Sequence, residues 1–303
     1  MKIKRVISAA LSLCIAGTSA GSTASAIGNT DDVISTGTIN EFSYEIRSDE
    51  NGERYAVISD FPDEYEGEVV IPSYIEGTPV KIIGPGAFNY CEGITSVTFP
   101  DTIETIGWGA FYQAHFLGQV HIPSSVRTIE PNAFYECYIS KLTIDYGLQS
   151  IAGLDYNSFA EAVLPPSVTD VENAFYSCGA LEKLTVLNPD CQLEMSTWSL
   201  YSDVVIYGYE GSTAQALTQE LGNQFVSLGD FYADWLGDVN FDGRVTPTDS
   251  AFALSEYASV ATTGAGVLTD IEKKTADYNR DGSVTPTDGA QILAFYAESA
   301  TGI

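Results

Sequence analysis

Between residues 65 and 190 apolar positions return with a period in the low twenties. The pair Ala-Phe marks the returns, at Ala87-Phe88, Ala110-Phe111, Ala133-Phe134 and Ala174-Phe175, with a degraded copy at Ser158-Phe159. The first three stand 23 residues apart. Ahead of them lie short apolar runs ending in Pro (VVIP 69–72, VTFP 97–100, VHIP 120–123, AVLP 162–165) and a turn at Ile83-Gly84, Ile106-Gly107 or Ile129-Glu130. Such runs predict one short strand per period. A chain that repeats this way predicts a solenoid, because each coil can bury its apolar side only against the next. At the flanks, 42–61 reads as a β-cap, and 204–228 as a strand, helix and strand that close the last coil. The copies between 139 and 165 are irregular, with Asp145 where Pro is expected.

After residue 237 the periodicity changes. SAFALSEYA at 250–258 and GAQILAFYA at 289–297 match at Ala251/Ala290, Leu254/Leu293, Tyr257/Tyr296 and Ala258/Ala297. Spacings of three and four place these on one stripe of a helix, which is either core or a partner face. A twelve-residue segment precedes each helix, DVNFDGRVTPTD at 238–249 and DYNRDGSVTPTD at 277–288. Asp238, Asn240 and Asp242, like Asp277, Asn279 and Asp281, occupy positions 1, 3 and 5 of a calcium loop, where alternate side chains surround a hard cation with oxygen. Gly243 and Gly282 supply the sharp turn at position 6, Arg244 and Ser283 offer a backbone carbonyl at position 7, and Asp249 and Asp288 close the loops at position 12. Two loops predict two Ca2+ ions. Val245 and Val284, apolar at position 8, are expected to face each other.

Position 12 is Asp rather than Glu, and FYADWLG at 231–237 is too short for the incoming helix of an ordinary EF-hand. The segment 237–303 resembles a dockerin, the calcium-dependent module by which secreted proteins of cellulose-degrading anaerobes plug into cohesin modules of a scaffold. The resemblance implies a partner surface at loop positions 10 and 11 and along the outer face of the following helix. Here these are Pro247, Thr248, Leu254 and Ser255 in one half and Pro286, Thr287, Leu293 and Ala294 in the other. Pro-Thr in both copies implies two nearly equivalent faces, which a partner engages in either of two orientations. A module of this size has little apolar surface of its own, and at millimolar calcium with a micromolar Kd each ion adds about 4 kcal/mol to the folded state.

The motif Ile-Gly-x-x-Ala-Phe-x-x-Cys followed by a short strand resembles the BspA-like bacterial leucine-rich repeat. The implied fold class is mixed α/β: a leucine-rich-repeat solenoid with a β N-cap, followed by a small all-α dockerin with two EF-hand-like calcium loops. The expected domains are a signal peptide at 1–26, an N-terminal linker at 27–40, the repeats at 41–228, a linker at 229–236 and the dockerin at 237–303. That second linker carries Phe231, Tyr232 and Trp235, so the two modules are expected to pack on each other.

Composition narrows the function classes. The chain has 303 residues, 45% hydrophobic and 18% charged, which is globular. Its formal charge of −28 and lack of clustered Lys and Arg argue against nucleic acid and anionic membrane as partners. Lys2, Lys4 and Arg5, the run VISAALSLCIAG and Ala24-Ser25-Ala26 form the three parts of an export signal cleaved after Ala26, with Ala20 as an alternative. Cys14 invites a lipoprotein reading, against which Leu13 stands where a small residue is expected.

Cys91, Cys137 and Cys178 share one repeat position, three residues after Phe, and read as core thiols; Cys178 with Cys191 is the pairing that spacing allows. Tyr112, Tyr135 and Tyr176 follow the repeat Phe and either grip sugar rings or protein, or pack on neighbouring coils; Trp108 and Trp198 are equally ambiguous. With two histidines, His115 and His121, no catalytic constellation emerges. The expected function is a secreted, non-catalytic cellulosome component whose repeats bind protein, cell surface or polysaccharide. The alternative is an enzyme or enzyme inhibitor, such as a glycoside hydrolase or protease regulator, delivered by its dockerin.

Overall fold

The computed structural model describes residues 32–115, 118–194, 200–201 and 203–301. The export signal, Cys14 and Trp198 lie outside the described residues. Strands β1 (Asp32–Ile39), β2 (Phe42–Ser48) and β3 (Arg54–Asp60) form an antiparallel cap. Residues 32–39, assigned above to a linker, are therefore a strand, whose backbone pairs with β2 although its side chains are mostly exposed. Then come β4 (Gly67–Val70), β5 (Tyr74–Ile75), β6 (Thr78–Ile83), β7 (Ile94–Thr98), β8 (Thr105–Ile106), β9 (Gln119–Ile122) and β10 (Thr128–Ile129). The coils continue with β11 (Lys141–Ile144), β12 (Ser150–Ile151), β13 (Glu161–Leu164), β14 (Asp170–Glu172), β15 (Lys183–Val186), β16 (Gln192–Glu194) and β17 (Val205–Gly208). Helix α1 (Thr213–Leu221) and β18 (Gln224–Ser227) close the stack.

The result is a β-solenoid of about 7 turns. Strands β3, β6, β8, β10, β12, β14 and β16 form one parallel ladder, while β4 pairs β7, β9 pairs β11, and β13, β15, β17 and β18 run together on the other side. Between the ladders the repeat phenylalanines stack. Phe88 and Phe111 lie 4.7 Å apart at 9°, and Phe111 and Phe134 lie 5.2 Å apart at 3°. The Phe88 and Phe111 N–H groups each donate to the alanine carbonyl one coil on, at 2.7 Å. At the Ile-Gly turn the coils are close, and a Cβ on Gly107 would stand 2.8 Å from the Ile83 carbonyl oxygen, although one coil on Glu130 makes the same backbone bond to Ile106 with a side chain in place.

In the irregular coil the landmark moves. Phe134 N–H donates to the Gly153 carbonyl, so Leu154 occupies the phenylalanine place and Ser158-Phe159 does not. Phe159 is nevertheless in the core and meets Phe175 edge to face. Asn157 consequently takes the place of the repeat thiol. Cys137 Sγ donates to the Phe111 carbonyl at 2.9 Å and Cys178 Sγ to the Leu154 carbonyl at 3.2 Å; between them Asn157 Nδ2 donates to the Phe134 carbonyl at 2.9 Å. Cys137, Asn157 and Cys178 each aim a donor at the previous coil, whereas the fully buried Ala114 fills the same place three residues after Phe111 with a methyl. All four described cysteines are buried free thiols, and burial pushes Cys178 and Cys191 up to about 12. Cys178 and Cys191 are not bridged.

Beyond the solenoid lie α2 (Phe231–Trp235), α3 (Pro247–Thr263), α4 (Asp270–Ala276) and α5 (Pro286–Thr301). Val239, Ala253, Leu268, Ala276 and Ile292 form their core, with Val245 and Val284 packed against it. Among the described residues no helix is long and apolar enough to cross a membrane.

Candidate functional site

The segment Thr-Pro-Thr-Asp is a helix start. Thr246 caps α3, Pro247 opens its first turn, and Asp249 reaches back to the cap in a capping box. Thr285, Pro286 and Asp288 repeat the arrangement ahead of α5, with Thr285 N–H and Oγ1 donating to Asp288 Oδ2 at 2.9 and 2.8 Å. The closing aspartates are fully buried. Asp249 Oδ1 also accepts from Val239 N–H at 2.8 Å and Asn240 N–H at 3.2 Å, and Asp288 Oδ1 from Asn279 N–H at 3.1 Å. Each loop is thus tied end to end by its twelfth residue.

The other donors converge in the same way in both loops. Asp238 accepts from Asp242 N–H and, at 2.8 Å, Gly243 N–H; Asp277 accepts from Asp281 N–H and, at 2.7 Å, Gly282 N–H. Asn240 and Asn279 accept from the position-5 N–H at 3.1 and 2.8 Å. Asp242 and Asp281 accept from Arg244 and Ser283 N–H, both at 3.0 Å. Gly243 and Gly282 have φ of 84° and 90°, the left-handed turn that glycine makes without strain.

Among the described residues no three His, Cys, Asp or Glu side chains meet as a closed cluster, since the loop carboxylates are turned onto their own N–H groups. The donor set nevertheless fits a hard divalent cation. Asp238 is buried, and its carboxyl is pushed up to about 6 by that burial and by the charges of Asp249 and Asp242, against the pull of Gly243 N–H. Crowded carboxylates with all-oxygen donors are what Ca2+ relieves.

The partner residues named above are all exposed: Pro247, Thr248, Leu254 and Ser255 along α3, and Pro286, Thr287, Leu293 and Ala294 along α5. Leu254 is 43% and Leu293 46% exposed, so the repeated stripe is surface, and the core lies one residue earlier at Ala253 and Ile292. Tyr257, from the repeated stripe, extends the exposed apolar face, as do Phe252 and Phe295, which the repeat does not single out because Gln291 stands opposite Phe252 and Glu256 opposite Phe295. Neither α3 nor α5 contains Lys or Arg.

A different face of the helical region sits on the solenoid. Phe241, at loop position 4, stacks on Tyr146 at 5.0 Å and meets Trp235 at 5.2 Å. Tyr209, Phe231 and Ile271 are buried in the same cluster. Tyr146 Oη donates to Glu272 Oε1 at 2.8 Å, Lys274 pairs with Asp190, and Trp235 Nε1 donates to Tyr209 Oη at 2.7 Å. The modules pack through the linker aromatics.

On the repeats, Tyr90, Tyr112, Tyr135, Tyr156 and Tyr176 form a continuous ladder. Tyr112 and Tyr135 are parallel at 4.7 Å and so spend their facing sides on each other, while the other contacts of the ladder are tilted or edge to face. Trp108 is exposed. His121 Nε2 stands 2.8 Å from Asp145 Oδ2 on an open strand face rather than in a cleft.

Residues 81–199 match the family model for the BspA type leucine rich repeat region in six copies, and residues 236–294 match that for the dockerin type I domain. No curated protein matches the chain. Among solved structures it is similar to a leucine rich repeat protein of T. pallidum, at 21% identity and a TM-score of 0.45 over 64% of this chain and 98% of that one. A leucine rich cell surface protein of Faecalibacterium prausnitzii is 23% identical with a TM-score of 0.33, over 51% of this chain and 55% of that one. A leucine-rich repeat protein of Eubacterium ventriosum is 20% identical with a TM-score of 0.38, over 57% and 50%. The chain therefore combines a BspA-type leucine-rich repeat solenoid with a type I dockerin domain.

Proposed function

We propose that this protein is a secreted, non-catalytic component of a cellulosome, held on a scaffold by calcium-dependent docking of its C-terminal module to a cohesin. In this reading the export signal is removed after Ala26, residues 41–228 together with the cap strand β1 are the presenting module, and 237–303 the plug. Two Ca2+ ions supply the positive charge that draws the loop oxygens together. Asp238, Asn240, Asp242, Asp249 and the carbonyl of Arg244 hold one; Asp277, Asn279, Asp281, Asp288 and the carbonyl of Ser283 hold the other.

The observation that carries the reading is the exposure of the same apolar stripe in both halves, with Leu254 and Leu293 on the surface of a module whose core lies elsewhere. An uncovered apolar face on a small module is a docking face. Its lack of basic residues fits a cohesin surface that is apolar at its centre. The outward faces of the solenoid strands, extended and uncovered, are where the repeats would meet protein, cell envelope or polysaccharide in plant cell-wall breakdown.

The test is capture of the mature chain by a panel of immobilised cohesins, in millimolar calcium and again in excess chelator. Capture by at least one cohesin, lost on chelation, is the expected result. Capture by none, or capture indifferent to chelator, would sink the reading.

A further inference from the structure

We propose that calcium loading of the two loops and seating of the dockerin on the solenoid are one coupled equilibrium, transmitted through the residue at loop position 4. The idea rests on the calcium reading above and adds a second anchor to it. Position 4 is the residue that the loop pattern leaves free. In the structure it is the point of contact in both loops: Phe241 stacks on Tyr146, and the Arg280 guanidinium lies 4.3 Å from the centre of the Tyr232 ring.

The backbone explains why contact and metal are linked. Phe241 and Arg280 are in the left-handed region, with φ of 54° and 59°, a conformation costly for side chains that carry a Cβ. That turn sits between the donors at positions 3 and 5. The same two dihedrals therefore set where Asn240 and Asp242 point and where the Phe241 ring points. An ion that closes the donors fixes the ring for Tyr146; a solenoid that holds the ring fixes the donors for the ion.

The coupling is unequal between the loops. Phe241 is buried, within a cluster that also buries Tyr209 and Ile271, whereas Arg280 is exposed and touches one linker ring. Seating should strengthen calcium binding in the first loop and scarcely alter the second. By linkage, calcium must strengthen seating by the same factor. This contact leaves Leu254 and Leu293 exposed, so seating and docking use different residues.

Calorimetric titration of the mature chain with CaCl2 tests this, with the altered side chain placed in the solenoid, far in sequence from either loop. Tyr146→Ala should weaken one of two calcium sites about tenfold and leave the other within about twofold. Tyr146→Phe, which keeps the ring and loses only the bond to Glu272, should lie between wild type and Tyr146→Ala, nearer wild type. Small-angle scattering should show the wild-type chain lengthening in chelator. Phe241→Ala gives the same prediction from the other side and serves if Tyr146→Ala does not fold. Two calcium affinities unchanged in both alanine variants, a Phe variant as weak as Ala, or scattering unaltered by chelation would each overturn the coupling while leaving calcium binding intact. No uptake by wild type would overturn the calcium reading itself.

Discussion

Ser250 and Gly289 occupy the same position in the two halves of the dockerin, and they touch each other: Ser250 Oγ donates to the Gly289 carbonyl at 2.7 Å in a buried contact. Equivalent residues meet only near an axis that relates the halves. That axis passes where α3 crosses α5, and it places Leu254 and Leu293 on two similar faces rather than one.

The crossing sets the first prediction. Ser250→Ala removes a buried hydrogen bond and should cost about 1 kcal/mol in calcium-saturated chemical denaturation. Gly289→Ala acts differently, because its Cβ would stand 3.0 Å from Leu254 Cγ. The gain in helix propensity and the crowding oppose each other. Leu254 is exposed and can swing aside, so stability should hold while cohesin affinity for that half falls.

Two similar faces predict a redundancy. Leu254→Asp or Leu293→Asp alone should weaken cohesin binding only about twofold, roughly 0.4 kcal/mol, because one orientation of two is lost. Both together should abolish it. Surface plasmon resonance on one cohesin with all three variants distinguishes this from a single preferred face, which a single substitution would destroy.

The irregular coil gives a prediction about the solenoid. Asn157 accepts from Ile139 N–H at 2.9 Å and donates to the Phe134 and Leu154 carbonyls at 2.9 and 2.8 Å. Asn157→Ala would leave these buried groups unpaired, at a cost of about 3 kcal/mol in thermal or chemical unfolding. Asn157→Cys, the residue that Cys137 and Cys178 place there, should recover part of the loss through its donor but not the bond to Ile139.

What the sequence made legible, and what it did not, follows from where repetition carries information. The dockerin match was readable because its two loops are defined by side-chain identity at stated positions, and the solenoid because Phe88, Phe111 and Phe134 must lie in register to stack. Leu154 was hidden by two fewer residues after the Ile of its coil, which moved the landmark and left Phe159 as a decoy. The dockerin core escaped for the opposite reason. Ala253 and Ile292 are equivalent but unlike, while Leu254 and Leu293 are identical and exposed, and spacing alone cannot tell a core stripe from an exposed one. Phe241 and Tyr146 were out of reach, because position 4 has no required residue and Tyr146 lies in the least regular coil.

The last prediction concerns pH. Asp155 takes the repeat position held elsewhere by Tyr112 and Tyr135, and its Oδ1 accepts from Tyr176 N–H at 2.9 Å. Burial nevertheless pushes its carboxyl up to about 6, the Tyr176 bond only partly offsetting it. A carboxyl raised in the folded state is neutral there while it ionises freely in the unfolded chain, so the folded state loses stability as pH rises from about 4 to about 6 and regains none above. Asp155→Asn keeps the acceptor for Tyr176 and removes the charge. Allowing for partial exposure, it should stabilise the solenoid by about 1 kcal/mol at pH 7 and by little at pH 3.5, where the aspartate is mostly protonated in either state. Paired unfolding curves of the two proteins at pH 3.5, 5 and 7 check the slope as well as the sign. A difference that stays constant across that range would mean that the Tyr176 bond cancels the effect of burial, and one that runs the other way with pH that the bond outweighs it.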